Sequence, residues 1–523
     1  MKILQITLSR FNDPYLDNAL QFFYKLLKEI QSQYPDVVDS QLAHDRLTII
    51  VKDRESLIDL LDDLIVREMT TSLRFSRQNK DGTITEGWKH FLIFPAQKPD
   101  QFPLTYREEK RRELLQKAFS QQPTSRRRSF CFLCGVFPAT EQLTQGIYPF
   151  VTKAASLTTA DYLVARGKKT YYYVCPLCYL IASLGWADPA LPYRSRIVVA
   201  PRQRVSYLWL PYAFSLKELD RLKRDLPSEL DSKAEISNIK LPAPQGVSPP
   251  GCFSLLLAFL EGLLLKVAQK EMVSLRDLRL EIPDEWWFIR IPEGRGMKNV
   301  DLGGFVLPQR VKDALIEYIS NGEGRRLYGD FLGLVRIRDT GAQRNIKEER
   351  RRSDNLREKL SQSFLQDDYD SFARLFQPHP RCIISLPLNG EDYLKKLIKI
   401  WRCKDMLTEQ ELEILQKAGR TIALISDIRQ KPSILYNLLD RVRTPSDLLD
   451  FLREIGHLLV GVDFDKVDFK KIDVKDFSPD AINQLVSLVN EKVGIFRDLK
   501  NTLGIFISVE YARRKLQERR RTE

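Results

Sequence analysis

Apolar and polar residues alternate in KILQITL, RLTIIV and HFLIF, and between these runs the first hundred residues carry stretches of helical period, LDNALQFFYKLLKEIQSQ and ESLIDLLDDLIVREM. A period of two marks a half-buried strand and a recurrence every three or four residues an amphipathic helix, so this stretch predicts an α/β domain. From residue 191 the pattern is mixed: the β-like RIVVAPRQRVSYLWLPY, the proline-rich LPAPQGVSPPG, the apolar CFSLLLAFLEGLLLKVA, then WWFIRI and basic loops. The last third is uniform, with leucines at helical spacing in ELEILQKAGRTIALI, SILYNLLDRV, DLLDFLREIGHLL and AINQLVSLVNEKVGIF. Thr408 with Glu411 spells a capping box, and Thr444-Pro445 with Asp447 and Ser478-Pro479 mark two further helix starts, because proline at the first helical position needs no amide partner. The expected fold is multidomain α+β. It comprises an N-terminal α/β domain with a basic helix (1–120), a four-cysteine zinc-binding subdomain (121–190), a mixed α/β central region (191–375) and a C-terminal helical bundle (376–523).

Composition adds that 523 residues, 43% of them hydrophobic, suffice for several cores. The longest apolar run, residues 252 to 268, is interrupted by Glu261 and is shorter than the roughly 20 residues a membrane span needs, which predicts a buried helix. The opening MKILQITLSRFNDPYLDN brings charges early and has no small-residue cleavage site, so a cytoplasmic protein without a membrane partner is expected.

Seven cysteines are too few for a secreted disulfide framework. Four of them form two pairs, Cys131 and Cys134 in SFCFLCGVF and Cys175 and Cys178 in YVCPLCYL, separated by forty residues. A two-residue gap lets both thiolates of a pair face one ion from a tight turn, and four soft ligands suit tetrahedral zinc. One structural Zn2+ is expected, with the intervening residues folding back as a small subdomain and no coordination position left for a catalytic water. Cys252, Cys382 and Cys403 stand alone and read as small buried hydrophobes.

Charge points to a polyanion: 82 Lys and Arg against 69 Asp and Glu give +13. Between Arg107 and Arg128 eight basic residues face three acidic ones, and Arg126, Arg127 and Arg128 have no acidic neighbour, which marks them as phosphate contacts. Arg325, Arg326 and Arg344, from a second cluster, and Arg513, Arg514 and Lys515 in the tail are further nucleic-acid candidates. Tyr106, Tyr171, Tyr172, Tyr173, Tyr193 and Tyr328 lie beside basic residues and would suit stacking on bases or sugars. In KEERRRSDNLREK opposite charges recur at helical spacing, which predicts a solvated face with internal ion pairs. The loops RQNKDG (77–82) and TGAQRN (340–345) offer Gln, Asn and Arg, which pair with base edges, and read equally as ordinary turns.

Catalytic signatures are absent. The dipeptide His44-Asp45 lacks the upstream histidine that a metal-dependent phosphohydrolase needs, and no nucleophile elbow, phosphate loop or paired aspartates after DLGGFVL occur. Asp463, Asp465, Asp468, Asp473 and Asp476 crowd together without the Gly and terminal Glu of an EF-hand, and predict a solvated connection. A non-enzymatic binding subunit is expected.

In the order of its parts the chain resembles the large subunit of type I CRISPR surveillance complexes (Cascade), most like the Cas-eight group of subtype I-B and its transposon-associated relatives. Two stretches carry the resemblance: Asp13, Pro14 and Asp17 in NDPYLDNA, similar to the family's opening Asn-Pro-Phe-Val-Asp-Ala-Gly with Ala19 in place of the Gly, and the CFLC/CPLC set. The resemblance implies a non-catalytic subunit that recognises the protospacer-adjacent motif on duplex DNA and stabilises the R-loop, alongside guide RNA, target double-stranded DNA and the backbone and guide-end-capping subunits. It also implies a small subunit translated internally, for which Met406 lies just ahead of the capping box. Two alternatives stand beside it: the polymerase-like CRISPR large subunit in degenerate form, and a zinc-ribbon nucleic-acid-binding scaffold outside CRISPR.

Overall fold

Strand β1 (Leu4–Ser9) turns Ile6 and Leu8 inward, and β2 (Val38–Leu42) and β3 (Arg46–Val51) complete an antiparallel sheet of order β1-β3-β2. Helix α1 (Pro14–Gln33) joins β1 to β2 and buries Leu20, Phe23, Leu27 and Ile30. The computed structural model describes residues 3–78, 81–88, 104, 107–123, 130–143, 147–148, 173–185, 194–200, 203–225, 249–271, 283–293, 301–320, 326–339, 345–377, 382–403, 406–429, 433–460 and 478–522. Next come α2 (Arg54–Leu73), a hairpin of β4 (Arg74–Gln78) and β5 (Ile84–Trp88), and α3 (Glu108–Ser120). The guanidinium of Arg111 on α3 donates to buried Asp62 on α2, so the first residues of the expected basic helix tie it to the core.

The two cysteine pairs flank a short ladder of β6 (Glu141–Gln142) with β7 (Tyr173–Val174), and α4 (Pro176–Leu184) starts at the second pair. A second antiparallel sheet, order β11-β10-β9-β8, contains β8 (Arg194–Ala200), β9 (Gln203–Tyr212), β10 (Glu285–Glu293) and β11 (Asp301–Val306), with α5 (Leu216–Asp225) after β9. All of this belongs to one unit, Met1–Leu241 with Arg279–Val306, and one continuous core runs from Ile6 through Cys131, Cys175 and Cys178 to Ile289.

The other unit is Pro242–Leu278 with Leu307–Glu523, so the stretch 191–375, expected as one region, is divided between the two. Its first helix, α6 (Cys252–Glu271), is the apolar run, and Glu261 within it is buried. Burial raises the Glu261 carboxyl to about 8, although it accepts hydrogen bonds from the amides of Tyr328 (2.7 Å) and Gly329. Helix α7 (Gln309–Ser320) leads to a π-helical turn (Leu327–Phe331) and to β12 (Arg336–Asp339). Then follow α8 (Ile346–Leu365), α9 (Tyr369–Arg374), β13 (Cys382–Ser385), which pairs with β12, and α10 (Gly390–Ile398). Glu358 of α8 caps α6 from outside, accepting from the amides of Phe253 (2.8 Å) and Ser254 (3.1 Å).

The last third is helical as expected: α11 (Glu409–Ile428), α12 (Ser433–Arg441), α13 (Pro445–Val460), α14 (Pro479–Glu491) and α15 (Phe496–Thr522). The Thr408–Glu411 capping box is formed in both directions, and Asp447 accepts from the Thr444 amide. Ser478 makes no side-chain cap; its amide instead donates to Thr421 Oγ1 at 3.0 Å. The bundle packs on residues upstream of Met406. Trp401 meets the rings of Phe364, Tyr369 and Phe372, its Nε1 donates to Asp367, Arg402 pairs with Asp498 at 3.0 Å, and the Tyr369 and Thr502 hydroxyls bond at 2.8 Å. Among the described residues no helix is long and apolar enough to cross a membrane.

Candidate metal centre

Each cysteine pair is held by a different local device. In CFLCG the Cys131 amide donates to the Phe137 carbonyl (2.8 Å) and the Gly135 amide returns to the Cys131 carbonyl (3.0 Å). Gly135 has φ +66°, the left-handed conformation that glycine adopts without strain, so it closes the knuckle right after Cys134. In CPLC, Cys175 is the N-cap of α4 with Pro176 at the first helical position, and its Sγ accepts from the Cys178 amide at 3.4 Å. A helix N-terminus carries partial positive charge, which suits a thiolate. The arms are stitched together by bonds from the Phe132 amide to the Tyr173 carbonyl (3.1 Å) and from the Thr140 amide to the Val174 carbonyl (3.0 Å).

The four Sγ atoms lie within 4.8 Å of one another, and Cys134 and Cys175 approach to 3.8 Å. A tetrahedral ion with sulfur bonds of about 2.3 Å holds its sulfurs about 3.8 Å apart, so the cage has the size for one ion. Cys131, Cys175 and Cys178 are buried and Cys134 is partly exposed. Hydrogen bonds from Cys134, Cys175 and Cys178 pull the Cys131 thiol well below its ordinary value; a thiolate there pushes Cys175 and Cys178 well above theirs. Cys134 is also lowered, so the four thiols split into two lowered and two raised, and four thiolates in one buried space would repel unless a cation sat among them. The four expected ligands are thus brought together, and they could hold a metal ion.

The second motif-grade stretch meets this centre, which spacing could not have predicted. Asp13 caps α1 by accepting from the Leu16 amide at 2.8 Å, and its other oxygen accepts from the hydroxyl of Tyr148, inside the forty-residue insert. Tyr15 is fully buried and its hydroxyl donates to the carbonyls of Ala182 on α4 (2.8 Å) and Ile147 (3.1 Å). A side chain on Gly185 would come within 2.8 Å of that hydroxyl and 3.2 Å of the Ala19 methyl, so α1 and α4 touch at two small residues. Asp17 accepts from Arg10 Nε and the Phe11 amide, both at 2.9 Å, and Arg10 lies over the Tyr212 ring. Burial raises both Asp13 and Asp17 despite these donors. NDPYLDNA therefore clasps the start of α1 to Ile147 and Tyr148 in the insert and to α4, the helix that opens at Cys175.

The expected nucleic-acid contacts fare differently. Arg126, Arg127, Arg128, Arg325 and Arg344 lie outside the described residues, as do Tyr106, Tyr171, Tyr172, Tyr193 and the aspartates 463 to 476. Arg326 pairs with Asp330, Arg513 and Arg514 both reach Glu510 at 2.8 Å, and Lys515 reaches Asp427 at 2.7 Å. Arg514 is buried, and the tail runs as a helix in which Arg513, Arg514 and Lys515 meet carboxylates of the chain. Tyr328 is likewise buried, whereas Tyr173 is exposed, two residues before Cys175. On α8 Arg351 and Arg352 pair with Glu348, the expected ion-paired face. Of RQNKDG, Arg77 and Gln78 end β4, Asp81 accepts from the Thr83 amide, and residues 79 and 80 lie outside the described residues; Asn345 at the end of the other loop caps α8. His44 is exposed, edge-on to Phe214. Of the lone cysteines Cys403 is buried and pushed up to about 12 by burial; Cys252 and Cys382 are only partly buried, a correction to their core reading.

A scan against models of protein families finds no match to the chain, and a search of curated proteins finds none either.

Proposed function

We propose that this chain is the non-catalytic large subunit of an RNA-guided type I CRISPR Cascade complex, and that its cysteine centre holds one structural Zn2+. The observation that carries the reading is the clasp: through Asp13 and Tyr15 the NDPYLDNA stretch bonds to Tyr148 and Ile147, between the two cysteine pairs, and to Ala182 on the helix that CPLC opens. Four thiolates with no open position suit a structural zinc, which would order the knuckle and carry no chemistry. In this role the guide RNA of partner subunits reads sequence by pairing, while the protein docks the duplex at a short adjacent motif and holds the displaced strand with cationic side chains. Arg126, Arg127 and Arg128, three residues ahead of Cys131, are the proposed phosphate contacts. A cytoplasmic location and an internally started small subunit belong to the same proposal.

The test is binding of the chain, assembled with its guide RNA complex, to paired DNA with and without an adjacent motif. Motif-dependent opening of the duplex is expected, and replacing the three arginines with Ala should lower the slope of log affinity against log salt by about 2 to 3. Binding that ignores the adjacent motif would favour a zinc-ribbon scaffold instead.

A further inference from the structure

The second unit carries a cavity of about 710 Å³ that neither the cysteine centre nor the clasp uses. It lies at the β12–β13 hairpin and the start of α10, and its lining includes Arg336, Arg338, Ser385, Leu388, Asn389 and Tyr393. Its size falls in the range of small-ligand sites, which run from roughly 300 to 1,000 Å³.

Its chemistry is two-sided. Arg336 and Arg338 are two apart on β12 and so project to the same side of the strand, separated along it by about 7 Å. Among the described residues no ion pair engages Arg336, and Arg338 reaches Glu349 only at 3.8 Å. The one carboxylate in the lining, Asp330, is already occupied: it pairs with Arg326 and accepts from the Arg326 amide at 2.7 Å. In the same lining Leu386, Pro387 and Leu388 are apolar, and Leu388 is 88% exposed, an unusual position for a leucine in a concave lining. Asn389, at φ +58° ahead of α10, spends its carboxamide on no helix cap, and Tyr393 adds an aromatic ring.

We infer that this cavity binds a nucleotide unit, its phosphate ester on Arg336 and Arg338 and its base against Leu388 and Tyr393. Guanidinium groups match phosphate oxygens with paired donors, and an apolar and aromatic ledge accepts the face of any base. Asn389 and Ser385 supply the polar groups for sugar or base edges. The same chemistry serves a free nucleotide or one unit of a single strand. The inference stands apart from the large-subunit reading, since it requires neither guide RNA nor an adjacent motif.

The experiment uses the full chain alone. Isothermal titration with 5′-AMP and fluorescence anisotropy with labelled ten-residue oligo-dT are measured for the parent, for Arg336→Ala with Arg338→Ala, and for Arg46→Ala with Arg453→Ala, which removes equal charge from exposed positions elsewhere. Saturable binding by the parent is expected for at least one probe, weakened about tenfold or more in the cavity variant and less than about twofold in the control. Binding of 5′-AMP assigns a free nucleotide, and binding of oligo-dT only assigns a strand. Leu388→Asp changes a solvent-exposed side chain and should weaken the same probe without disturbing the fold. Equal affinities for the cavity variant and the control, or no saturable binding of either probe by the parent, would overturn the inference. Loss of motif-dependent duplex binding with this result intact would discard the large-subunit reading alone.

Discussion

The cysteine centre and the C-terminal bundle are both dense in polar chemistry, and they satisfy it in opposite ways. In the centre four sulfurs lie within 4.8 Å of one another and could hold a metal ion, which would balance their charge. In the bundle the described cations meet carboxylates of the chain: Arg513 and Arg514 share Glu510, Lys515 holds Asp427, and Arg402 bridges Asp367 and Asp498. A spacing of thiols is thus a demand on a ligand, whereas a run of charge is a demand that the chain itself can meet.

The sharpest way to break this comparison is to remove one sulfur. Cys175→Ser should release the metal and, because Cys131, Cys175 and Cys178 share a core with α1, lower the melting temperature of the whole first unit instead of loosening the insert alone. A structural zinc site contributes on the order of 10 kcal/mol, so calorimetry of parent and variant reads this easily. An unchanged transition would place the centre outside the folding unit.

In the bundle the corresponding weak point is apolar. Trp401→Ala should cost about 3 to 5 kcal/mol by emptying the space among Phe364, Tyr369 and Phe372 and removing one of the donors to Asp367. Chelation should leave its denaturation midpoint where it was. A fragment beginning at Met406 loses this Trp401 cluster and the Arg402–Asp498 pair, so an internally started product should be less stable than the same helices in the full chain.

Glu261 tests burial against charge inside the second unit. Its folded carboxyl titrates near 8 against an ordinary value of 4.5, so the folded state holds the proton more tightly than the unfolded one. Its contribution is fully present below about 4.5 and is lost as pH rises through about 8, with a slope of up to about 1.4 kcal/mol per pH unit. Glu261→Gln keeps an oxygen for the Tyr328 amide and should flatten stability between pH 5 and 8 in urea titrations. A slope unchanged by the substitution would show that Glu261 is charged when folded.

The smallest expected effect is at the tail. Arg513→Ala with Lys515→Ala should change the salt dependence of DNA binding by less than about one unit, since both cations are held by carboxylates. A loss of two units would return the tail to the DNA-contacting surface.

What the sequence discloses follows the same division. The helical third and its Thr408–Glu411 cap are legible because they depend on residues a few positions apart. The cysteine set is legible because coordination geometry constrains spacing. The clasp is not, since Tyr15 reaches Ala182 and Asp13 reaches Tyr148 across more than a hundred residues, and no local pattern marks a tyrosine as the partner of a distant carbonyl. The external cap that Glu358 places on α6 and the sharing of the central stretch between two units are hidden for the same reason.

The most direct test of the central claim is metal content. Elemental analysis of the full chain, purified without chelator, should give about one zinc per chain through Cys131, Cys134, Cys175 and Cys178, and the Cys175→Ser variant should give none. Less than about half an equivalent in the parent, or retention of zinc by the variant, would contradict it.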